Sequence, residues 1–264
     1  MKRYPEIMKA VAVFPARREV QVIDQPEPKV QSPTQLKARV LDVGVCGTDR
    51  EITSFQYGTP PDGSDYLIIG HESLSQVIEC GEKVTNAKPG DLVVLTVRRH
   101  CPHASCIACR SGRQDYCYTG DFTERGIKQR HGYMTEFVVE EEGYVNVVPH
   151  ELRDVAVLVE PLTIAEKSLE QLRVVEQRLP WDGEGHRNAV VLGAGPVGLL
   201  GAMALRIAGL NVSIYSRSSK HEETDDIQEK GRRWNRGISY PFCHDLHGRG
   251  FLFSLRQCSE PELC

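Results

Sequence analysis

The stretch from Asn188 to Ile207 constrains this chain more than any other. Asn188-Ala189-Val190-Val191-Leu192 is a short continuous apolar run. Gly193-Ala194-Gly195-Pro196-Val197-Gly198 follows it, and Leu199 to Ile207 continues as a nearly all-apolar segment. An apolar run of strand length suits a central strand of a parallel sheet, which is buried on both faces. A helix that is apolar all round suits a buried crossover. The glycines fall at G-x-G-x-x-G spacing. Gly193 permits the turn, Gly195 lets backbone approach a pyrophosphate, and Gly198 lets the helix pack on the strand. Pro196 and Val197 open the helix, whose N-terminal amides would hold the phosphates. Strand, turn and helix in this order predict a dinucleotide site.

The next strand, Val212-Ser213-Ile214-Tyr215, runs into Ser216-Arg217-Ser218. An NAD site carries an acid there for the ribose 2′-hydroxyl. Here an arginine stands between two hydroxyls, which suits a 2′-phosphate. The expectation is NADP, with NAD as the alternative.

Upstream of residue 150 the pattern is different. Met8 to Phe14, Val20 to Ile23, Leu36 to Val45, Val77 to Cys80, Leu92 to Val97, Tyr133 to Glu140 and Tyr144 to Pro149 read as short strands. Turn residues separate them, among them Lys88-Pro89-Gly90-Asp91, which suits a type II turn. This predicts a compact β-rich domain. From Arg153 the period becomes helical: Val155, Leu158, Val159 and Leu162, then Ala165, Leu169 and Leu172, with Pro161 expected to break the helix. Pro180, Gly183 and Gly185 mark a boundary near Leu172 to Gly185. The expected division is therefore 1–175, 176–218 and 219–264.

Four cysteines, Cys101, Cys106, Cys109 and Cys117, fall inside seventeen positions. Four thiols so spaced fit a closed tetrahedral zinc site, which is structural because it leaves no coordination position open. The alternative is four free thiols in a loop, which would oxidise. Cys101 to Cys106 is a longer step than Cys106 to Cys109. His103 sits where even spacing would put the first ligand, so either Cys101 or His103 completes the set.

Cys46 and the pair His71-Glu72 end two separate hydrophobic segments. A thiolate, an imidazole and a carboxylate converging from different places suit a catalytic zinc with one open position. Read alone, Cys46 and His71 could equally be core residues. Gly44 and Gly47 bracket Cys46 and are expected to let the backbone turn around a ligand.

Composition narrows the function classes. The net charge is -4, so no basic field points to nucleic acid. The N-terminus lacks the uninterrupted apolar core of a secretory signal, and no apolar run spans a bilayer. A cytoplasmic protein is expected. In that setting nine cysteines read as metal ligands and thiols rather than a disulfide framework.

With these motifs in this order, the chain resembles the zinc-dependent medium-chain dehydrogenases, and within them the glucose 1-dehydrogenases. VGVCGTDREI, LIIGHES, VRRHCP, GRQDYC, TGDFTERGI, HGYMTEFVV and VLVEPLTIAEKSLE carry the likeness, from about Met8 to Ser218. The resemblance implies a GroES-like catalytic domain (β-rich) followed by a Rossmann α/β domain, with two zinc ions and NADP. It implies Cys46, His71, Glu72 and Glu160 around the catalytic zinc, where Glu160 replaces a cysteine of the alcohol dehydrogenases. It implies Thr48 as proton relay and Glu124 as a contact to sugar hydroxyls. The implied reaction is oxidation of an aldose at C1 to the lactone, and the implied full-length form is a homo-oligomer.

After Ser218 the likeness fails. Lys220 to Arg236 is a charged stretch, and Tyr240 to Cys264 has no strand or helix period. A Rossmann domain has about six strands, whereas two are legible here. The expectation is a partial Rossmann domain with an aberrant tail, as in a truncated or frame-shifted product. An inactive remnant that keeps its zinc sites, or a polyol or alcohol dehydrogenase, are the alternatives.

Overall fold

The computed structural model describes residues 6–178 and 187–216. Arg217, Ser218, the 180–185 stretch and the charged tail lie outside the described residues. The chain divides into two compact units, Met1–Glu160 and Pro161–Cys264.

In the first unit, β1 (Ile7–Phe14) and β2 (Glu19–Pro26) form an antiparallel hairpin. Next come β3 (Gln35–Gly44), the short helix α1 (Gly47–Thr53), β4 (Leu67–Ile68), β5 (Glu72–Cys80) and β6 (Leu92–Leu95). The chain continues through β7 (Arg98–Arg99), α2 (Ile107–Arg110), β8 (Thr123–Arg125), β9 (Gln129–Arg130), β10 (Phe137–Glu141) and β11 (Val145–Val148). The main sheet has the order β10-β3-β5-β6-β11, and two small sheets, β2-β1-β4 and β7-β8-β9, flank it.

The alternation read from the sequence explains the layering. Val93 and Leu95 of β6 pack on one side with Leu36, Ala38, Val77 and Tyr133. Leu92 and Val94 pack on the other with Leu74, Val148 and Ala156. This strand is therefore buried on both faces, as a continuous apolar run requires. A third cluster of Val13, Ile52, Leu67, Ile69 and Ile127 ties α1 to β1 and β4. The Lys88–Asp91 turn forms as expected: the Asp91 amide donates to the Lys88 carbonyl at 3.1 Å and Gly90 has φ +97°.

Two differences from the sequence expectation have physical causes. Helix α3 (Val159–Glu176) contains Pro161 instead of being broken by it. The proline lies in the first turn, where no intrahelical partner exists for its missing N–H. The glycines around Cys46 do not form a left-handed turn, since neither Gly44 nor Gly47 has positive φ. Instead, Cys46 is the N-cap of α1 and accepts from the Thr48 amide, while Asp49 returns a bond to the Cys46 amide at 3.0 Å. Gly44 has a different role: a Cβ there would run into the carboxylate of Glu72, its register partner across β3 and β5.

In the second unit, β12 (Asn188–Leu192), α4 (Pro196–Ile207) and β13 (Asn211–Tyr215) form a right-ordered strand–helix–strand unit with a parallel pair, Leu192 opposite Tyr215. Leu200 and Ala204 of α4 pack with Leu162, Ala165 and Leu169 of α3. Among the described residues this sheet has two strands. The apolar run of β12 is consequently not buried: Val190 is 65% and Leu192 80% exposed. No helix among the described residues is long and apolar enough to cross a membrane.

Candidate active site

The first unit assembles a site from four separated segments. The end of β3 delivers Cys46, and the turn after β4 delivers His71 and Glu72. Cys46 Sγ lies 3.0 Å from His71 Nε2. On the other side of the ring, His71 Nδ1 lies 3.6 Å from Asp49 Oδ1. Ligand atoms of Cys46, Asp49 and His71 all lie within 4.8 Å of one another. Asp49 and His71 are buried, and Asp49 Oδ1 and His71 Nδ1 have no hydrogen-bond partner. Buried polar atoms left in this state are costly. A carboxylate behind an imidazole that offers its other nitrogen forward is how metal-binding histidines are commonly held.

Sequence reasoning did not single out Asp49. Its signal was present in Cys46-Gly47-Thr48-Asp49, because an acid three residues after an N-cap reaches back to it. The same bond holds Asp49 beneath His71.

Carboxylates crowd this site. Glu72 forms a hydrogen bond with the Cys46 side chain, and burial pushes its carboxyl up despite the nearby His71. Burial likewise pushes the Cys46 thiol up. Glu160, in the first turn of α3, is pushed up to about 7, first by burial and then by the charges of Glu72, Asp49 and Glu124. Glu160 is not one of the three residues within the 4.8 Å group, but its carboxyl feels the same cluster. Like charges gathered in a partly dry place ionise together only when a cation or proton is shared among them. The residues therefore fit a divalent metal with a thiolate, imidazole and carboxylate donor set.

Thr48 is half-buried on α1, and its amide donates to Cys46 Sγ at 3.3 Å. Glu124, on β8, is buried and paired with Arg98, with Nη2 at 2.8 Å from Oε1.

The four-cysteine lobe is compact. Ligand sulfurs of Cys101, Cys106, Cys109 and Cys117 lie within 4.8 Å of one another. Cys106 and Cys117 sulfurs are 3.9 Å apart, and the Cys101 amide donates to Cys109 Sγ at 3.4 Å. The Thr119 hydroxyl draws the Cys117 thiol down to about 6. Four unpaired thiols gathered this closely fit a structural metal. His103 points elsewhere, to Asp121 on the surface.

In the second unit, Gly193 takes φ +110° and its amide donates to the Tyr215 carbonyl at 2.8 Å. Gly195 is the N-cap of α4, Pro196 and Val197 begin the helix, and a Cβ on Gly195 would meet nothing within 4 Å. A Cβ on Gly198 would strike the Gly193 carbonyl. One glycine thus serves the turn, one leaves open space over the amides, and one permits close packing. Ser216 follows β13 and is half-buried.

Both units have counterparts among known proteins. Residues 32–150 match the alcohol dehydrogenase GroES-like domain, and residues 153–233 match the glucose dehydrogenase C-terminus. The glucose 1-dehydrogenase of Methanocella arvoryzae is 47% identical over 234 residues, covering 88% of this chain and 62% of that protein. That of Thermoproteus tenax is 42% identical over 230 residues, covering 86% and 63%. The structure of Haloferax mediterranei glucose dehydrogenase in complex with NADP, Zn and gluconolactone superposes with a TM-score of 0.73 at 34% identity, covering 84% of this chain and 62% of that one. The chain has a GroES-like β-rich domain followed by a partial Rossmann fold, and in both it resembles the zinc-dependent medium-chain dehydrogenases. The two curated relatives, at 47% and 42% identity, are both glucose 1-dehydrogenases. It spans about three fifths of the length of the curated relatives it matches.

Proposed function

We propose that this chain carries the catalytic domain and the first nucleotide-binding unit of a zinc- and NADP-dependent glucose 1-dehydrogenase. The reaction is oxidation of the C1 hydroxyl of an aldose to the lactone. One hydride passes from C1 to the nicotinamide of NADP and one proton passes to solvent. The observation that carries this reading is the meeting of Cys46 with His71, backed by Asp49, amid the carboxylates of Glu72, Glu160 and Glu124.

Cys46, His71, Glu72 and Glu160 would hold the catalytic zinc, and Cys101, Cys106, Cys109 and Cys117 the structural one. Zinc bound at the first site supplies a Lewis acid that makes the sugar hydroxyl easier to deprotonate. Asp49 fixes the orientation of His71 by facing its Nδ1. Thr48 takes the hydroxyl proton towards solvent. Glu124, already held by Arg98, accepts hydrogen bonds from sugar hydroxyls. Gly193, Gly195 and Gly198 shape the pyrophosphate turn. Ser216, Arg217 and Ser218 would take the 2′-phosphate. A cytoplasmic setting suits a sugar substrate and reduced thiols.

Glucose-dependent NADP reduction, followed at 340 nm with and without a chelator, tests this. Turnover unaffected by stripping zinc contradicts it. A second reading is a folded zinc-bearing domain without turnover, supported by the fact that both clusters of possible metal ligands lie in the first unit. Titration with NADPH separates the two: micromolar binding supports the enzyme, and no binding supports the remnant.

A further inference from the structure

His131 is 63 residues from Ile68 in sequence, yet it sits against the strand that leads to His71. The Ile68 amide of β4 donates to His131 Nδ1 at 3.1 Å. The backbone amide has only a proton to give, so Nδ1 must be the unprotonated nitrogen of a neutral ring. The ring stacks on Tyr66, with centroids 5.0 Å apart and planes 14° from parallel. Tyr66 itself leans on Phe14 at 5.4 Å. The His131 carbonyl accepts from Arg125 Nη1 at 3.0 Å, and the Arg125 guanidinium is in turn anchored on Glu140 and on the Val139 carbonyl.

The next residues clasp the chain that leads to His71. The amides of Gly132, Tyr133 and Met134 donate to the carbonyls of Ile68, Gly70 and Ile69 at 2.7, 2.9 and 2.9 Å. A Cβ on either Gly126 or Gly132 would collide with the Gly70 carbonyl. Backbone thus lies directly on backbone just before His71, and the His131 ring is the one side-chain acceptor for an amide in this clasp. The same segment begins at Glu124.

We propose that His131 is a positioning residue for the metal centre: as a neutral acceptor of the Ile68 amide, it fixes the backbone that sets His71 opposite Cys46. This rests on the metal reading above. Acid should release the clasp, because a proton on Nδ1 would face the Ile68 N–H donor. Tyr66 and Arg125 are the titratable or charged groups that face His131. Burial, and then the Arg125 charge, hold its imidazolium below the usual histidine range. A pKa depressed by folding contributes stability above about 6.5, lost as pH falls through the lower folded value.

The experiment compares the wild-type chain with His131→Asn, which offers a non-titrating acceptor near the Nδ1 position, and His131→Leu, which offers none. Two readouts are taken between pH 5.5 and 8: amide exchange of the Ile68–His71 segment on metal-free protein, and zinc affinity by chelator competition. We expect His131→Leu to lose protection at Ile68 and to bind zinc at the Cys46 site about tenfold more weakly, the size of effect seen when groups behind metal ligands are removed. His131→Asn should retain both within about twofold and lose the extra acid sensitivity of the wild type. Equal protection and affinity in all three proteins would overturn the proposal. So would a wild type and His131→Asn with identical pH profiles, which remains decisive even if His131→Leu does not fold. Should exchange respond as expected while the Cys46 site binds no zinc in any protein, the clasp stands and the metal reading falls.

Discussion

Glu160 offers a prediction whose sign is opposite to the usual one for a site residue. Its carboxyl is raised from 4.5 to about 7 in the metal-free chain, by burial and by Glu72, Asp49 and Glu124. Each pKa unit is about 1.36 kcal/mol, so the full shift corresponds to about 3.4 kcal/mol. Partial exposure of the group screens part of it, leaving about 2 kcal/mol. The folded chain holds the proton more tightly than the unfolded chain. Its contribution is therefore fully present below pH 4.5 and is lost as pH rises through about 7. Glu160→Gln removes that loss. Metal-free Glu160→Gln should match the wild type near pH 4.5 and melt roughly 4–8 °C higher at pH 8, at about 2–4 °C per kcal/mol for a chain of this size. With excess zinc the order should reverse, because the amide cannot replace a carboxylate ligand. Melting curves from pH 4.5 to 8.5, with chelator and with zinc, decide the matter. A metal-free variant that melts below the wild type at pH 8, or a difference that does not change with pH, would refute the electrostatic reasoning.

Other perturbations read out other parts of the molecule. Glu140 is buried between Arg99 and Arg125, and Glu140→Gln should cost about 3–5 kcal/mol by leaving buried guanidinium charge unmatched, measured by urea unfolding at pH 7. Burial opposes the ionised form of Glu140, but Arg125 and Arg99 outweigh it and lower its pKa, so this support should persist until pH falls below about 4.5. Gly198→Ala should weaken NADPH binding at least about tenfold by pushing α4 off the Gly193 turn, measured by fluorescence titration. Cys109→Ser should remove one zinc per chain by atomic absorption, whereas His103→Ala should leave the zinc content unchanged.

The legible parts of the fold were those with a period. Alternating runs such as Leu36 to Val45 and the buried run Leu92 to Leu95 became β3 and β6 because side chains on a strand must choose a face. The short arginine-bearing strands β7, β8 and β9 had no such period. Charge pairing among Arg98, Arg99, Glu124, Arg125 and Glu140 holds them, and such pairing leaves little trace in sequence. In the site, Cys46 and His71 were legible because a thiol and an imidazole are scarce and chemically pointed. Asp49 was not, since an acid near a helix start has an ordinary capping role. His131 was hidden for a similar reason: its partner is a main-chain amide, which any sequence supplies. The run Val190 to Leu192 was legible as a strand because it is short, apolar and followed by a glycine turn.

The four-cysteine lobe draws all its sulfurs from one short segment, Cys101 to Cys117. Closing so small a loop costs less chain entropy than bringing Glu160 back to Cys46 from beyond the last strand of the sheet. The lobe can therefore capture its ion while the polypeptide is still emerging from the ribosome, and the knot then stands ready when β8 to β11 arrive. The other centre can be loaded only after those strands have closed. Scarcity of metal during synthesis should thus injure assembly first and chemistry second.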